Sequence, residues 1–225
     1  MIYNQQKDFT LFARDFGISS LDLHYNQKKI DNSLTPYILE ERPMNVTVMD
    51  VFSRLMADRI IFLAGPVDER MSTITVAQLQ YLDSIDKNDV TLQISSPGGS
   101  VYDGLSIIDT MNIMRYDIRT VNIKLAASMG AVLLGAGTKG KRYSLPNAKT
   151  MIHQTSGSAG GTFADAKISF AEWEKTNDTV FEMLSTFTNK TPEQIKIDAD
   201  RDLWFSAEET VDYGLIDEIL TSKKQ

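Results

Sequence analysis

Three times between Arg59 and Leu134 the chain repeats one unit: a short run rich in Ile, Val and Leu, a turn of small residues, then apolar residues at helical spacing. In the first, Ile60 to Leu63 stops at Gly65-Pro66, and Val76, Leu79, Leu82 and Ile85 follow. In the second, "DVTLQI" stops at "SSPGGS", and Leu105, Ile108 and Met111 mark one face. In the third, "IRTVNI" leads into "KLAASMGAVLLGAG". Apolar runs ended by turn residues and followed by helix-period faces read as strand, turn, helix. Three such units in succession favour an α/β architecture. With 225 residues, 42% of them hydrophobic, the chain is near the upper end for one domain, and one domain plus a modest extension is expected.

The flanking regions read differently. Residues 1–43 are polar and mixed in charge, and "NSLTPYILEERPMN" carries two prolines that discourage a continuous helix, so an arm is expected there. After Leu134 come the turn "KGKR" and two short β-leaning runs, "RYSL" and "TMIHQ", separated by Pro146-Asn147. "SGSAGG" is flexible by composition, and residues 162–189 read as one long helix, with Phe163, Ala166, Phe170, Trp173, Val180, Met183 and Leu184 near 3.6-residue spacing. These aromatics are expected in the core or at an interface. Thr191-Pro192-Glu193-Gln194 and Ser206-Ala207-Glu208-Glu209 are helix starts with capping-box spacing, and "YGLIDEIL" reads as a glycine stop and a final strand.

Composition removes several function classes. The net charge of −7 argues against a sequence-independent grip on nucleic acid or anionic lipid. Without cysteine there is no disulfide, thiol nucleophile or cysteine-based zinc site, and with two histidines and no H-E-x-x-H motif, no metal site is expected. Lys7, Asp8, Arg14 and Asp15 interrupt any apolar signal region near the start, and no apolar run approaches the ~20 residues that span a bilayer. A soluble, cytoplasmic protein without membrane association is expected.

Ser128 is the residue that asks for a reason. It follows a predicted strand and precedes a predicted helix, the setting in which a sharp turn exposes a serine hydroxyl, with Ala126 where the G-x-S-x-G elbow has its first glycine. A helix N-terminus beneath it would also favour an oxyanion. A serine that merely caps an apolar helix explains the same pentapeptide. Gly98-Gly99 permits backbone N–H groups to face a ligand, or forms a plain tight turn. If Ser128 is a nucleophile, its base is His153 in "TMIHQ", because His24 sits in the polar arm. Spacing does not choose the orienting acid: Asp165, Asp178, Asp198, Asp200, Asp202, Asp212 and Asp217 all follow His153.

Taken together, "SSPGGS", "AASMGAVLLGAGTKGKR", "MIHQ" and "DADRDLWFSAEETVDYGLID" resemble the Clp protease (ClpP) family of self-compartmentalising serine peptidases. The likeness runs from about Met44 to Leu220 and includes "FSRLMADRIIFLAG". It implies a crotonase-like α/β fold, a repeated ββα core with a projecting strand-helix handle at about residues 154–190. The peptidase domain would span 44–221, with residues 1–43 as a propeptide or axial loop and 222–225 as a tail. It implies Ser128 as nucleophile, His153 as base, Asp202 as the orienting acid, and the amides of Gly99 and Met129 as oxyanion donors. Asp200 and Arg201 match the pair that links ring contacts to the triad. Family members form heptameric rings that stack in pairs, and an AAA+ unfoldase of the ClpX, ClpA or ClpC type feeds them unfolded polypeptides. ATP belongs to that partner, so this chain is expected to need no cofactor. Thr91 and Gln93 stand where the family often has tyrosines, and Thr155 where proline is usual. Two rival readings remain: a Ser-Lys peptidase of the signal-peptide-peptidase type, and a weakly active or inert subunit supporting an active paralogue.

Overall fold

A computed structural model describes residues 37–42, 45–85 and 88–221. The expected N-terminal arm lies outside the described residues except for 37–42, and the expected tail at 222–225 lies outside them altogether. The backbone gathers into two compact units divided after Ala57.

In the first unit, β1 (Tyr37–Arg42) and β2 (Asn45–Asp50) form an antiparallel hairpin, and α1 (Val51–Ala57) follows directly. The sequence reading assigned no strand here. The apolar alternation of "NVTVMD" is short, and pairing with β1 is what completes it. Asp50 starts α1 by accepting the N–H groups of Phe52 and Ser53, both at 3.0 Å. The Ser53 hydroxyl also donates to this carboxylate, and together these donors hold its pKa below the ordinary value, over the opposing effect of burial.

The second unit carries the three repeated βα steps. They are β3 (Ile60–Ala64) with α2 (Glu69–Ile85), β4 (Val90–Ser96) with α3 (Val101–Ile113), and β5 (Ile118–Ala127) with α4 (Met129–Gly135). The three strands are parallel neighbours in order, each joined to the next by a helical crossover. Burial alternates along β4: Val90, Leu92, Ile94 and Ser96 are buried, whereas Thr91, Gln93 and Ser95 are half-buried. Leu79, Leu82, Ile107, Ile108, Leu133 and Leu134 from the helices are almost fully excluded from solvent. α4 is buried at every residue, which its run of Gly, Ala, Val and Leu permits.

β5 forks. Its first half, Thr120–Asn122, pairs with β6 (Arg142–Ser144), which in turn pairs with β9 (Glu218–Ile219). Its second half, Leu125–Ala127, pairs with β7 (Lys149–Ile152), which pairs antiparallel with β8 (Leu203–Phe205). Between the halves the register against β4 shifts, from Ile94 opposite Asn122 to Ser96 opposite Ala126. Lys124 occupies that irregularity, with its side chain exposed. Asn122, fully buried, stitches the gap by donating to the Lys149 carbonyl at 2.9 Å and accepting the Lys124 N–H at 3.2 Å.

The long helix α5 (Phe163–Phe187) starts at Thr162 with a reciprocal capping box to Asp165. At 25 residues it is about 37 Å long. Only Val180, Phe181 and Leu184 along it are buried, while Phe163, Ile168 and Phe170 are exposed, so its first half projects from the core of this chain. No strand pairing is described for residues 154–161, where Gly157, Gly160 and Gly161 interrupt the limb that precedes the helix. Two short helices complete the unit, α6 (Pro192–Asp198) and α7 (Ala207–Tyr213). α7 begins with the expected capping box and ends at Gly214 in the left-handed conformation, φ 92°. α6 is capped by Thr191, but Gln194 turns forward and donates to Asp198 at 2.7 Å instead of closing a box. Among the described residues, no helix is long and apolar enough to cross a membrane.

Candidate active site

Ser128 joins β5 to α4 with φ 53° and ψ −125°, a conformation that costs a non-glycine residue about 1–3 kcal/mol. It stands at the capping position of α4, yet its side chain makes no capping hydrogen bond. The hydroxyl lies 2.8 Å from His153 Nε2 instead. The Ser128 N–H donates to the Met151 carbonyl on β7 at 2.8 Å, so the turn is fastened to the strand that delivers the histidine.

The neighbours are small because the backbone leaves no room. A Cβ on Gly98, where φ is 92°, would stand 2.6 Å from Ser128 Cβ, 2.7 Å from the Ala127 carbonyl and 2.9 Å from the Met129 nitrogen. On Gly130 it would meet the Ser96 carbonyl at 2.9 Å, and on Gly104 of α3 the buried Met129 side chain at 2.4 Å. β4, α3 and α4 therefore converge on the serine through glycine. The Gly98-Gly99 turn is held by bonds from Val67 N–H to the Gly98 carbonyl, 2.9 Å, and from Ser100 N–H to the Val67 carbonyl, 2.8 Å, neither of which uses the Gly99 N–H. Met129 is the first residue of α4, so its own N–H has no acceptor within the helix.

His153 follows β7 directly, half-buried, and its Nδ1 lies 3.2 Å from Asp202 Oδ1. Asp202 precedes β8, and the antiparallel pairing of Ile152 with Leu203 sets the two residues side by side. The approach to Asp202 is fixed from several directions. Tyr213 donates its hydroxyl to Asp198 at 2.8 Å, and its pKa is pushed up, first by burial and then by that bond. Gln154 N–H donates to the Ala199 carbonyl at 2.6 Å, and its side-chain amide to the Asp200 carbonyl at 2.7 Å. Asp200 and Arg201 themselves are exposed, with 3.8 Å between their charges.

Of the seven aspartates that spacing left open, Asp202 is the one beside the imidazole. Asp165 caps α5, Asp198 anchors Tyr213, and Asp217 pairs with Arg142. Sequence reasoning missed the Met151 carbonyl, Gln154, and Thr155 with its partners on α5, because these depend on which strands and helices meet. A cleft opens at Ser128 and His153, walled by Val101, Val132, Ile152, Val180 and Leu184, with Thr155 and Ser156 at its edge. Among the described residues, no group of three or more His, Asp or Glu side chains could hold a metal ion.

A family model described as Clp protease matches residues 43–223. Curated relatives agree over nearly the full length. The chain is 44% identical to the ATP-dependent Clp protease proteolytic subunit of Bacteroides fragilis over 218 residues, 96% of this chain and 99% of the relative. It is 42% identical to that of Porphyromonas gingivalis over 220 residues, 97% and 99% of the two chains. It is 44% identical to that of Streptococcus gordonii over 192 residues, 84% and 98%. The chain belongs to the Clp protease family of serine peptidases.

Proposed function

We propose that Ser128, His153 and Asp202 form the catalytic triad of a peptidase acting through an acyl-enzyme, a reading carried by the 2.8 Å approach of Ser128 Oγ to His153 Nε2. Asp202 accepts a hydrogen bond from Nδ1–H, which keeps that proton on Nδ1 and leaves the Nε2 lone pair facing the hydroxyl. As Oγ attacks the scissile carbonyl, Nε2 takes its proton, and the oxyanion is received by the N–H groups of Gly99 and Met129. The imidazolium then protonates the leaving amine, and water repeats the sequence to release the acid. The walls of the cleft are Val, Ile and Leu, so an apolar side chain next to the scissile bond is favoured by about 1.5–3 kcal/mol of burial.

The relatives' name is that of the proteolytic subunit of an ATP-dependent protease. By extension this chain assembles into paired heptameric rings in the cytoplasm and degrades unfolded polypeptides delivered by an AAA+ unfoldase of the ClpX, ClpA or ClpC type. Asp200 and Arg201, exposed beside Asp202, are the residues we assign to the contact between rings. A fluorophosphonate probe on the purified assembly tests the chemistry. Labelling at Ser128, lost together with peptide hydrolysis in Ser128→Ala, is the expected result. Hydrolysis that survives Ser128→Ala overturns it, labelling without need of His153 would favour a Ser-Lys enzyme, and an assembled but unlabelled protein would be an inert ring subunit.

A further inference from the structure

The residue after the histidine's neighbour is fastened to the long helix through side chains of that helix. Thr155 N–H donates to Asn177 Oδ1 at 2.9 Å, and the Thr155 hydroxyl donates to the same oxygen at 3.0 Å. That hydroxyl also accepts the Trp173 indole N–H at 2.6 Å, so the donor and an acceptor site of Thr155 are both used. Trp173 is itself held by stacking on Phe170, ring centroids 5.9 Å apart, and Gly157 passes beside the indole, where even a Cβ would stand at an ordinary contact distance of 3.5 Å. Asn177 and Trp173 lie one helical turn apart on α5, the spacing that puts both over one residue of a neighbouring segment. A proline at 155 would supply neither the N–H nor the hydroxyl.

Thr155 and Ser156 line the cleft together with Val101 and Val132, and α5 itself contributes Val180 and Leu184 to the same lining. We infer that Asn177 and Trp173 are positioning residues: through Thr155 they hold the 154–156 limb on α5 and so set the width of the substrate cleft. The inference rests on the cleft being the peptide site, as proposed above. It separates two fastenings. Gln154 ties the limb to the loop before Asp202, and Thr155 ties it to the wall that substrate touches. Loss of the second loosens substrate binding and leaves the triad intact.

The test uses the full-length assembled enzyme, with a fluorogenic apolar peptide for KM and kcat and a small fluorophosphonate for the reactivity of Ser128. Asn177→Leu removes the shared acceptor. KM is expected to rise roughly tenfold, with kcat within about twofold and the labelling rate unchanged, since two hydrogen bonds are lost away from the reacting atoms. Asn177→Asp keeps an oxygen at the same place and restores wild-type KM. Trp173→Phe keeps the stacked ring and loses one bond, so its rise in KM is smaller; it also serves if Asn177→Leu fails to assemble. In a Trp204→Phe background, Trp173 emission shifts to the red when Asn177→Leu is introduced. An unchanged KM, a KM in Asn177→Asp as high as in Asn177→Leu, or a fall in labelling rate parallel to kcat would overturn the inference. A wild-type protein that does not label at all would instead overturn the active-site reading.

Discussion

The two arms that leave β5 have opposite chemistry. The β6–β9 arm is closed by an ion pair between a buried guanidinium and a half-buried carboxylate: Arg142 donates to both oxygens of Asp217, at 3.0 and 2.6 Å, and reaches the Phe187 carbonyl at the end of α5 at 2.8 Å. The β7–β8 arm ends in His153 and Asp202, joined by one contact of 3.2 Å, with the Asp202 side chain 58% exposed. One strand thus separates the chemistry that holds the sheet from the chemistry that acts on a substrate. A carboxylate meant to turn an imidazole needs access and latitude; one meant to hold a sheet edge needs burial and several donors.

Substitution at the ends of the second arm should remove activity and spare stability. His153→Ala takes away the base and is expected to lower kcat on the order of a millionfold, with an unfolding midpoint near that of wild type. Asp202→Asn keeps the shape but no longer favours the tautomer with Nδ1–H, and a loss on the order of ten-thousandfold is expected. Steady-state rates and urea unfolding on the same samples read both quantities. A large loss of stability in either variant would erase the contrast between the arms.

The first arm should behave in the reverse sense. Asp217→Ala leaves the Arg142 guanidinium, 4% exposed, without its carboxylate, and is expected to cost about 3–5 kcal/mol of folding stability while the residual folded protein labels normally at Ser128. Burial works to raise the Asp217 pKa, but the Arg142 side chain and the N–H groups of Arg142 and Gly140 outweigh it and hold it below the ordinary value. Because the carboxylate titrates lower in the folded chain than in the unfolded one, its contribution is complete above the unfolded pKa of about 3.9 and disappears as pH falls through the folded value. Urea midpoints between neutral pH and about pH 2 should fall less steeply in Asp217→Asn than in wild type.

How much of this was legible in advance followed the range of each interaction. The βα steps, the caps at Thr191 and Ser206, and the stop at Gly214 rest on residues close in sequence, and they read directly. The serine was ambiguous because a cap and an elbow share a local pattern; φ 53° and the missing capping bond separate them, and neither is written in five residues. The acid could not be chosen by spacing, since the pairing of β7 with β8 is what brings Asp202 rather than Asp198 or Asp200 to the imidazole. The fork at Asn122 and the Thr155 fastening were invisible for the same reason: each depends on which segments meet across long stretches of chain.

The smallest of the losses in catalytic rate is expected at the turn that follows β4, beneath the serine. Gly98 sits under the Ser128 turn with φ 92°, and an alanine there would press its methyl group to within 3 Å of Ser128 Cβ, the Ala127 carbonyl and the Met129 nitrogen at once. Two of these three are backbone, so relief requires moving the turn and not merely a rotamer. A displacement approaching 1 Å between nucleophile, base and oxyanion donor costs on the order of a hundredfold in rate. Gly98→Ala should therefore lower kcat and the fluorophosphonate labelling rate together, since both need the same alignment, with KM little changed. That pattern is the mirror of the one expected for Asn177→Leu, in which KM alone moves. A Gly98→Ala enzyme with a normal labelling rate would show that the turn can yield, and that the tightness around Ser128 serves packing more than catalysis.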